Sequence, residues 1–391
     1  MRMKARASAA IGLDTAVFDA VIEEGGIAAC RQLAIELAQF LADPATPPGE
    51  RKAVVPAVLK LVRSADAGLR RDLGARLSLC PLLHADIVFT IAAADDDIAL
   101  PFIATARALD SWRMLAILHV GDEARQIAIA GRPDIHPDAV TAIAATGRPR
   151  AVSALLDNRA CRLRPSDYRR IYERFAEEPE VLERLLDQAE LPPELRILHA
   201  RQAAGRVQAL LAERHWMAPE DAELFLAEAE ESAVLRILDG SESHHLDRLV
   251  AFLSSKDMLH ASLILRAACR GRMDIVERAL AWLSSVPKGR VHGLIGGHGS
   301  VALKAVFGAA GMPAASFPLF KAAVVAWRQS GAASPMSAED FGRQVVEALM
   351  TCFPDMPGAE RARLLELVSR FTEGRTRALA HRLREKLLEA A

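Results

Sequence analysis

Only two tyrosines occur in a chain of 391 residues, and aromatic residues together make up 5% of it. Threonine is sparse as well, so the material for β-sheets is thin, because strands draw on aromatic and β-branched side chains. An excess of charge is also missing: 49 lysines and arginines against 50 aspartates and glutamates leave a formal net charge of −1. No global field therefore draws the chain to nucleic acid or to a membrane surface, and any such attraction must be local. Cysteine is rare, and Cys30, Cys80, Cys161, Cys269 and Cys352 are odd in number, widely spaced and without C-x-x-C pairs. That pattern excludes a disulfide framework and points to buried, reduced thiols in a cytoplasm. No stretch reaches about 18 uncharged apolar residues, so no membrane-spanning helix is expected. The start, "MRMKARASAAIGLDTAVFDAV", is basic, but Asp14 interrupts its apolar run too early for a secretory leader. A cytoplasmic location is the expectation.

What is present is helix-forming material, chiefly alanine, leucine and arginine, in a chain that is 51% hydrophobic. Such a chain buries a sizeable core and by length comprises two or three units. Apolar residues recur at three- and four-residue spacing, as at Val54, Val58, Leu61 and Val62, which is the period of a helix face. The fold class expected is all-α.

Acidic or proline-bearing breaks fall near Asp66, Asp96, Asp122, Pro149 and Pro179. They lie about 26 to 30 residues apart, with roughly 12 helical residues on either side of each. A second set interleaves with them at His136–Val140, Arg164–Tyr168 and Leu191–Leu195, where a proline in the first turn stands beside an acid. The unit is a helix, a tight turn, a second helix and a proline-started next unit. One such pair cannot cover its own apolar face, so neighbours must stack, and the sequence predicts an α-solenoid of short HEAT-like helical repeats with a C-terminal helical domain, a globular helical bundle with accidental spacing being the plain alternative.

Boundaries follow from composition. Residues 1–50 form an N-terminal helical segment, set off by "ADPATPPGER" at Ala42–Arg51, where clustered prolines argue against helix. Residues 51–255 hold the HEAT-like repeats, 256–330 a C-terminal helical domain with glycine-containing turns, and 331–391 the terminal helices. Ala218-Pro219 opens a helix closed by Gly240, and Ser337 with Glu339 and Asp340 suits a helix start after the linker Gln329–Asp340.

The order of "LRRDLGARLSLCP", "ARQIAIAGRPDIHPDAV" and "ASLILRAACRGRMDIVERALAWLSSVPKGRVHGLIGGHGSVALKAVFGAAGMP" resembles the bacterial family known as domain of unknown function 2336, from about Lys52 to Pro318. The resemblance implies a helical, repeat-built chain. It carries no activity and no catalytic residues.

The glycine-rich stretch Val291–Gly308, "VHGLIGGHGSVALKAVFG", raises the question of a phosphate cradle. Walker and dinucleotide turns both follow a strand, whereas the residues before these glycines are helical and Lys304 lies too far along the next helix. A helix–helix turn is the reading, with Gly296 or Gly297 left-handed and Ser300 capping the following helix. Other constellations are equally bare. His244 and His245 are adjacent, about 100° apart on a helix, without the i, i+4 logic of a zinc helix. His292 and His298 bracket the glycine turn with no recognised ligand spacing, and Asp95-Asp96-Asp97 needs further oxygens before it holds Mg²⁺. No catalytic residue, cofactor or metal site is expected.

The residues that stand out are in Arg148–Arg174, with eight arginines against three acids and both tyrosines. Arg159, Arg162 and Arg164 sit at a turn, and Tyr168, Arg169, Arg170, Tyr172 and Arg174 follow on one helix. Arginine suits carboxylate and phosphate, and tyrosine adds rigid contact area, so the composition fits a partner-binding surface; a solvated arginine face with tyrosines packed between repeats is the plain alternative. Glu220, Asp221, Glu223, Glu228, Glu230 and Glu231 form an acidic counterpart suited either to pairing in a homo-oligomer or to plain solvated surface. At the C-terminus, Leu364, Val368 and Phe371, then Leu379, Leu383 and Leu387, make apolar stripes whose simplest use is docking within the chain.

The leading function is a non-enzymatic helical-repeat scaffold that binds an unknown protein partner in bacterial signalling or regulation. The alternative is a nucleic-acid-binding HEAT-like protein, which predicts steep salt dependence. A third class, an enzyme or small-ligand sensor at the glycine turn, would use His292 and His298.

Overall fold

The structure is a computed structural model that describes residues 15–214, 217–297, 299–331 and 336–389. Among the described residues the regular elements are helices and no strand occurs, as the shortage of β-forming residues predicts. None of these helices is long and apolar enough to cross a membrane. The chain divides into two compact units, Met1–Pro192 and Pro193–Ala391.

The first unit runs α1 (Thr15–Glu24), α2 (Gly26–Ala42), α3 (Pro48–Ala53), α4 (Val55–Val62), α5 (Ala67–Leu77), α6 (Ala85–Ala92), α7 (Asp96–Thr105), α8 (Ser111–Val120), α9 (Glu123–Ala130), α10 (Pro137–Thr146), α11 (Pro149–Asp157), α12 (Pro165–Phe175) and α13 (Pro179–Leu186). The sequence breaks are helix starts. Asp66, Asp110 and Asp122 accept hydrogen bonds from the first free N–H groups of α5, α8 and α9, and prolines open α10 to α13 where the missing N–H costs nothing. The same reasoning corrects the expectation at Ala42–Arg51: α3 begins inside that segment, with Pro48 in its first turn.

From α4 to α13, packing joins each helix to the one two places later. Helices α5, α7, α9, α11 and α13 form one such row, and α4, α6, α8, α10 and α12 another. The stripe Val54, Val58, Leu61 and Val62 is buried, and the core continues through Leu73, Ile87, Ile103, Ile129, Ile143, Leu155, Ile171 and Leu185.

Long polar side chains tie these layers at the helix ends. Arg125 donates to the carbonyls of Ala92 and Ala94, both at 2.7 Å. The buried Arg132 donates to Ile103 and Ala106, Asn158 to Ala130 and Arg132, and Arg174 to Ala144 and Gly147. Gln188 reaches Leu156. Each acceptor is a carbonyl at or just past a helix C-terminus, where intrahelical donors run out and the helix dipole favours a cation. The partners lie 26 to 33 residues apart in sequence.

The second unit comprises α14 (Pro193–Arg214), α15 (Pro219–Asp239), α16 (Leu246–Ser255), α17 (Ala261–Cys269), α18 (Met273–Ser284), α19 (Lys288–Gly296), α20 (Ser300–Ala309), a 3₁₀ turn (Ala314–Ser316), α21 (Phe317–Ser330), α22 (Ala338–Thr351), α23 (Gly358–Phe371) and α24 (Gly374–Glu389). Helices α14 and α15 pair along their length, and α17 packs on α18, α21, α22 and α23. Ile264, Ala267, Ala268 and Cys269 of α17 are buried with Leu280, Phe307, Phe320, Val345 and Leu365. Ser337 caps α22 by accepting from the Asp340 N–H at 3.1 Å. Gly271 follows α17 with φ +80°, and the Phe341 ring stands 3.1 Å from where a Cβ would be. Leu364, Val368 and Phe371 are buried and Leu379, Leu383 and Leu387 pack partly buried on the same core, so the C-terminal stripes dock within the unit.

Two details of the glycine stretch differ from the sequence reading. Helix α19 continues through Gly293 to Gly296, Gly297 is extended at φ −84°, and the left-handed glycines of the chain lie elsewhere. Ser300 is the first residue of α20 and makes no cap; Gly299 occupies the N-cap position. A helix end at Gly297 closes through its N–H to Gly293 O, so no left-handed turn is required.

Candidate functional site

The arginine-rich segment folds around a cleft of about 420 Å³. Leu156 and Asp157 at the end of α11, Asn158, Arg159 and residues 161–163 of the following loop, Tyr168 of α12, and Gln188, Ala189 and Glu190 past α13 all border it. The loop is held rigidly from below, because the Asn158 amide donates to Ala130 and Arg132 at 2.8 and 2.7 Å while its Oδ1 accepts from the Ala160 N–H at 3.0 Å. Proline at the first position of α12 then sets the helix direction.

Arg159 and Arg162 are exposed at the rim. Arg162 Nη1 lies 3.2 Å from Glu190 Oε1, with 80% of the arginine side chain and 61% of the glutamate accessible to solvent. A pair that open is screened and exchangeable, so the guanidinium remains available to an incoming carboxylate or phosphate. Arg164, Arg169 and Arg170 are also exposed, on the start and outer face of α12.

The remaining members of the predicted set have other employment. Tyr168 and Tyr172 are 3% and 5% exposed, so their rings pack into the core, and only Tyr168 reaches the floor of the cleft. They fall on the inner face of α12 with Ile171 and Phe175, at helical spacing. Arg174 is consumed by the carbonyls of Ala144 and Gly147 and stands 4.5 Å from the Phe175 ring centre, and its desolvation lowers its pKa.

Two groups at the cleft floor are held neutral. Burial first, and the Asp167 charge second, push the Cys161 thiol up to about 11 against the pull of Arg162. The Tyr168 phenol is likewise raised, by burial, then by Glu190 and Cys161. A thiol that stays protonated near neutral pH is a poor nucleophile. Asp167, 1% exposed, accepts from the Arg164 N–H at 3.1 Å through Oδ2, while its Oδ1 is buried without a hydrogen-bond partner.

Gln188 and Glu190 were not foreseen from the sequence. Glu190 lies 28 residues beyond Arg162, one repeat spacing, so adding one period to each arginine position was the available signal.

The other candidate groups resolve differently. Asp95, Asp96 and Asp97 pair with three separate arginines, Arg70, Arg125 and Arg71, each at 3.1 Å. That arrangement disperses the carboxylates rather than converging them on an ion. His292 Nδ1 is 2.8 Å from Glu277 Oε1, and His298 lies outside the described residues. Of the acidic counterpart on α15, Glu228 binds Arg370 at 2.6 Å and Glu231 binds Arg266 at 3.0 Å, so these two carboxylates are spent inside the second unit. The cysteines are all free, as expected, with Cys80, Cys161 and Cys269 buried, but Cys30 is half-buried and Cys352 exposed.

The family model for an uncharacterised protein conserved in bacteria, DUF2336, matches residues 98–356. The match covers well over half of the chain, which therefore belongs to that family. No curated protein and no solved structure matches it.

Proposed function

We propose that this member of the DUF2336 family is a non-enzymatic cytoplasmic scaffold in bacterial signalling or regulation, whose first unit is an α-solenoid of short HEAT-like repeats binding an acidic protein partner. The repeat reading is supported by the packing, from α4 to α13, of each helix on the one two places later, and by side-chain-to-carbonyl bonds that recur at 26 to 33 residues. Stacked helix pairs tied in this way present their turns as a continuous surface. The reading of a scaffold rather than an enzyme is supported by the neutral Cys161 thiol and by the pairing of the Asp95–Asp97 carboxylates with arginines.

The binding surface rests on one observation: Arg159 and Arg162 stand exposed at the rim of the 420 Å³ cleft. Arg164, Arg169 and Arg170 extend the same basic stretch along α12. Guanidinium groups at a cleft recognise carboxylates by paired hydrogen bonds, and a loosely held internal partner such as Glu190 marks the position that an external acid takes over.

The test is recovery of the tagged chain from a lysate of its own cells, beside a variant carrying Arg162→Glu, Arg169→Glu and Arg170→Glu. A specific protein captured by the wild type and lost from the variant supports the proposal. Nucleic acid that elutes with salt replaces it by the nucleic-acid reading. Equal capture by both chains removes this surface from the function.

A further inference from the structure

From sequence spacing alone, His244 and His245 lack a third ligand and, on a helix, point about 100° apart. The structure alters both premises. The pair lies in the turn between α15 and α16 rather than inside a helix, and the turn folds Glu242 back on them. The His245 N–H donates to the Glu242 carbonyl at 2.9 Å, which closes the turn. His244 Nδ1 then lies 3.1 Å from Glu242 Oε2, and the two imidazole rings stand 3.8 Å apart between centres. One ligand atom from each of the three side chains falls within 4.8 Å of the other two.

The turn is anchored from a neighbouring helix. Arg278 of α18 donates to Ser243 Oγ at 3.1 Å and to the Ser243 carbonyl at 3.3 Å, while its Nε is 3.0 Å from Asp247 at the start of α16. Ser243 is the residue between the carboxylate and the first imidazole, so fixing it limits the freedom of both.

We propose that Glu242, His244 and His245 form a binding site for a borderline transition-metal dication, with Zn²⁺ as the reference ion. Two imidazole nitrogens and one carboxylate oxygen are the donors that Zn²⁺ takes at about 2.0–2.2 Å, a distance that sets tetrahedral ligands about 3.3 Å apart. The Nδ1 to Oε2 separation is already close to that value. A fourth position faces solvent, because Glu242 and His244 are exposed, and water fills it. Hard cations such as Mg²⁺ prefer all-oxygen octahedra and are excluded by the imidazoles, whereas Cu²⁺ binds more tightly than Zn²⁺ at nitrogen donors. Because the three ligands span the junction of α15 and α16, the ion acts as a clip on that turn, and its binding energy adds to the stability of the folded chain.

The experiment is calorimetric titration of Zn²⁺ into the untagged full chain, beside His244→Ala, Glu242→Gln and the distant control His119→Ala. One Zn²⁺ per chain is expected, with affinity lowered at least about tenfold by His244→Ala and by Glu242→Gln and unchanged by the control. Mg²⁺ should give no binding heat. Thermal melts without metal should superimpose for all four proteins, and only the chains with an intact site should gain Tm on adding Zn²⁺. Equal affinity in the wild type and His244→Ala, or no saturable binding, overturns the site. Full affinity in Glu242→Gln overturns the three-donor assignment.

Discussion

Arg266, 1% exposed in the middle of α17, donates through Nε to Glu231 Oε2 of α15 at 3.0 Å. Its Nη1 reaches the Arg370 carbonyl at 2.9 Å, and its guanidinium carbon stands 5.3 Å from the Phe371 ring centre, so one side chain joins three helices. Removing one member of a buried pair strands the other charge away from water. Glu231→Ala is therefore expected to destabilise the chain by about 3–5 kcal/mol, more than the loss in Arg266→Met with Glu231→Leu combined. Urea midpoints of the two variants decide it; a single variant no weaker than the double one contradicts the account.

Two glycines separate conformational need from convenience. Gly271 has φ +80° and the Phe341 ring 3.1 Å from the Cβ position, so Gly271→Ala should cost about 1–3 kcal/mol. Gly296 closes α19 with open space around it, and Gly296→Ala should be neutral or stabilising by up to about 1 kcal/mol. Thermal melts of both variants test the contrast, and a large loss from Gly296→Ala would reinstate a special turn there.

Thiol reactivity should follow burial. Burial pushes Cys80 and Cys161 up to about 11 and Cys269 to about 12. Cys352 is exposed, while Cys30 is half-buried with its Sγ 3.8 Å from the Val21 carbonyl. At pH 8 a maleimide should modify Cys352 first, and Cys352→Ser should abolish the fast phase. Rapid labelling of Cys161 in the folded chain would contradict its place on the cleft floor.

Acid should weaken the first unit through its helix caps. The Arg125 backbone N–H, and then the Arg125 side chain, hold the Asp122 carboxyl below its ordinary range, and the Leu69 and Gly68 N–H groups do the same for Asp66. A depressed folded-state pKa contributes stability that is present above the unfolded value of about 4 and is lost as pH falls through the folded value. Urea midpoints of the wild type should drop between pH 5 and pH 3, taken as roughly the window around that value. Asp122→Asn keeps a capping oxygen without the titrating charge and should show a smaller drop. Identical acid profiles would remove Asp122 from the account.

The sequence by itself determined the helical class and the helix starts, because both rest on local chemistry. Asp66 and Asp122 cap, prolines open α10 to α13, and Val54, Val58, Leu61 and Val62 form a buried stripe, all within a few residues of one another. Tertiary structure decided where long side chains end. Arg159, Arg162 and Arg174 belong to one composition cluster, yet the first two reach the rim of a cleft, whereas Arg174 is taken up by carbonyls of Ala144 and Gly147. Tyr168 and Tyr172 share the inner face of α12 with Ile171, and Glu242 turns back onto His244 in a turn whose Ser243 is held by Arg278 of α18. An arginine or glutamate side chain spans several ångströms, so its partner is set by whatever backbone or charge the fold brings within reach, often about 30 residues away, and local spacing carries no record of that choice.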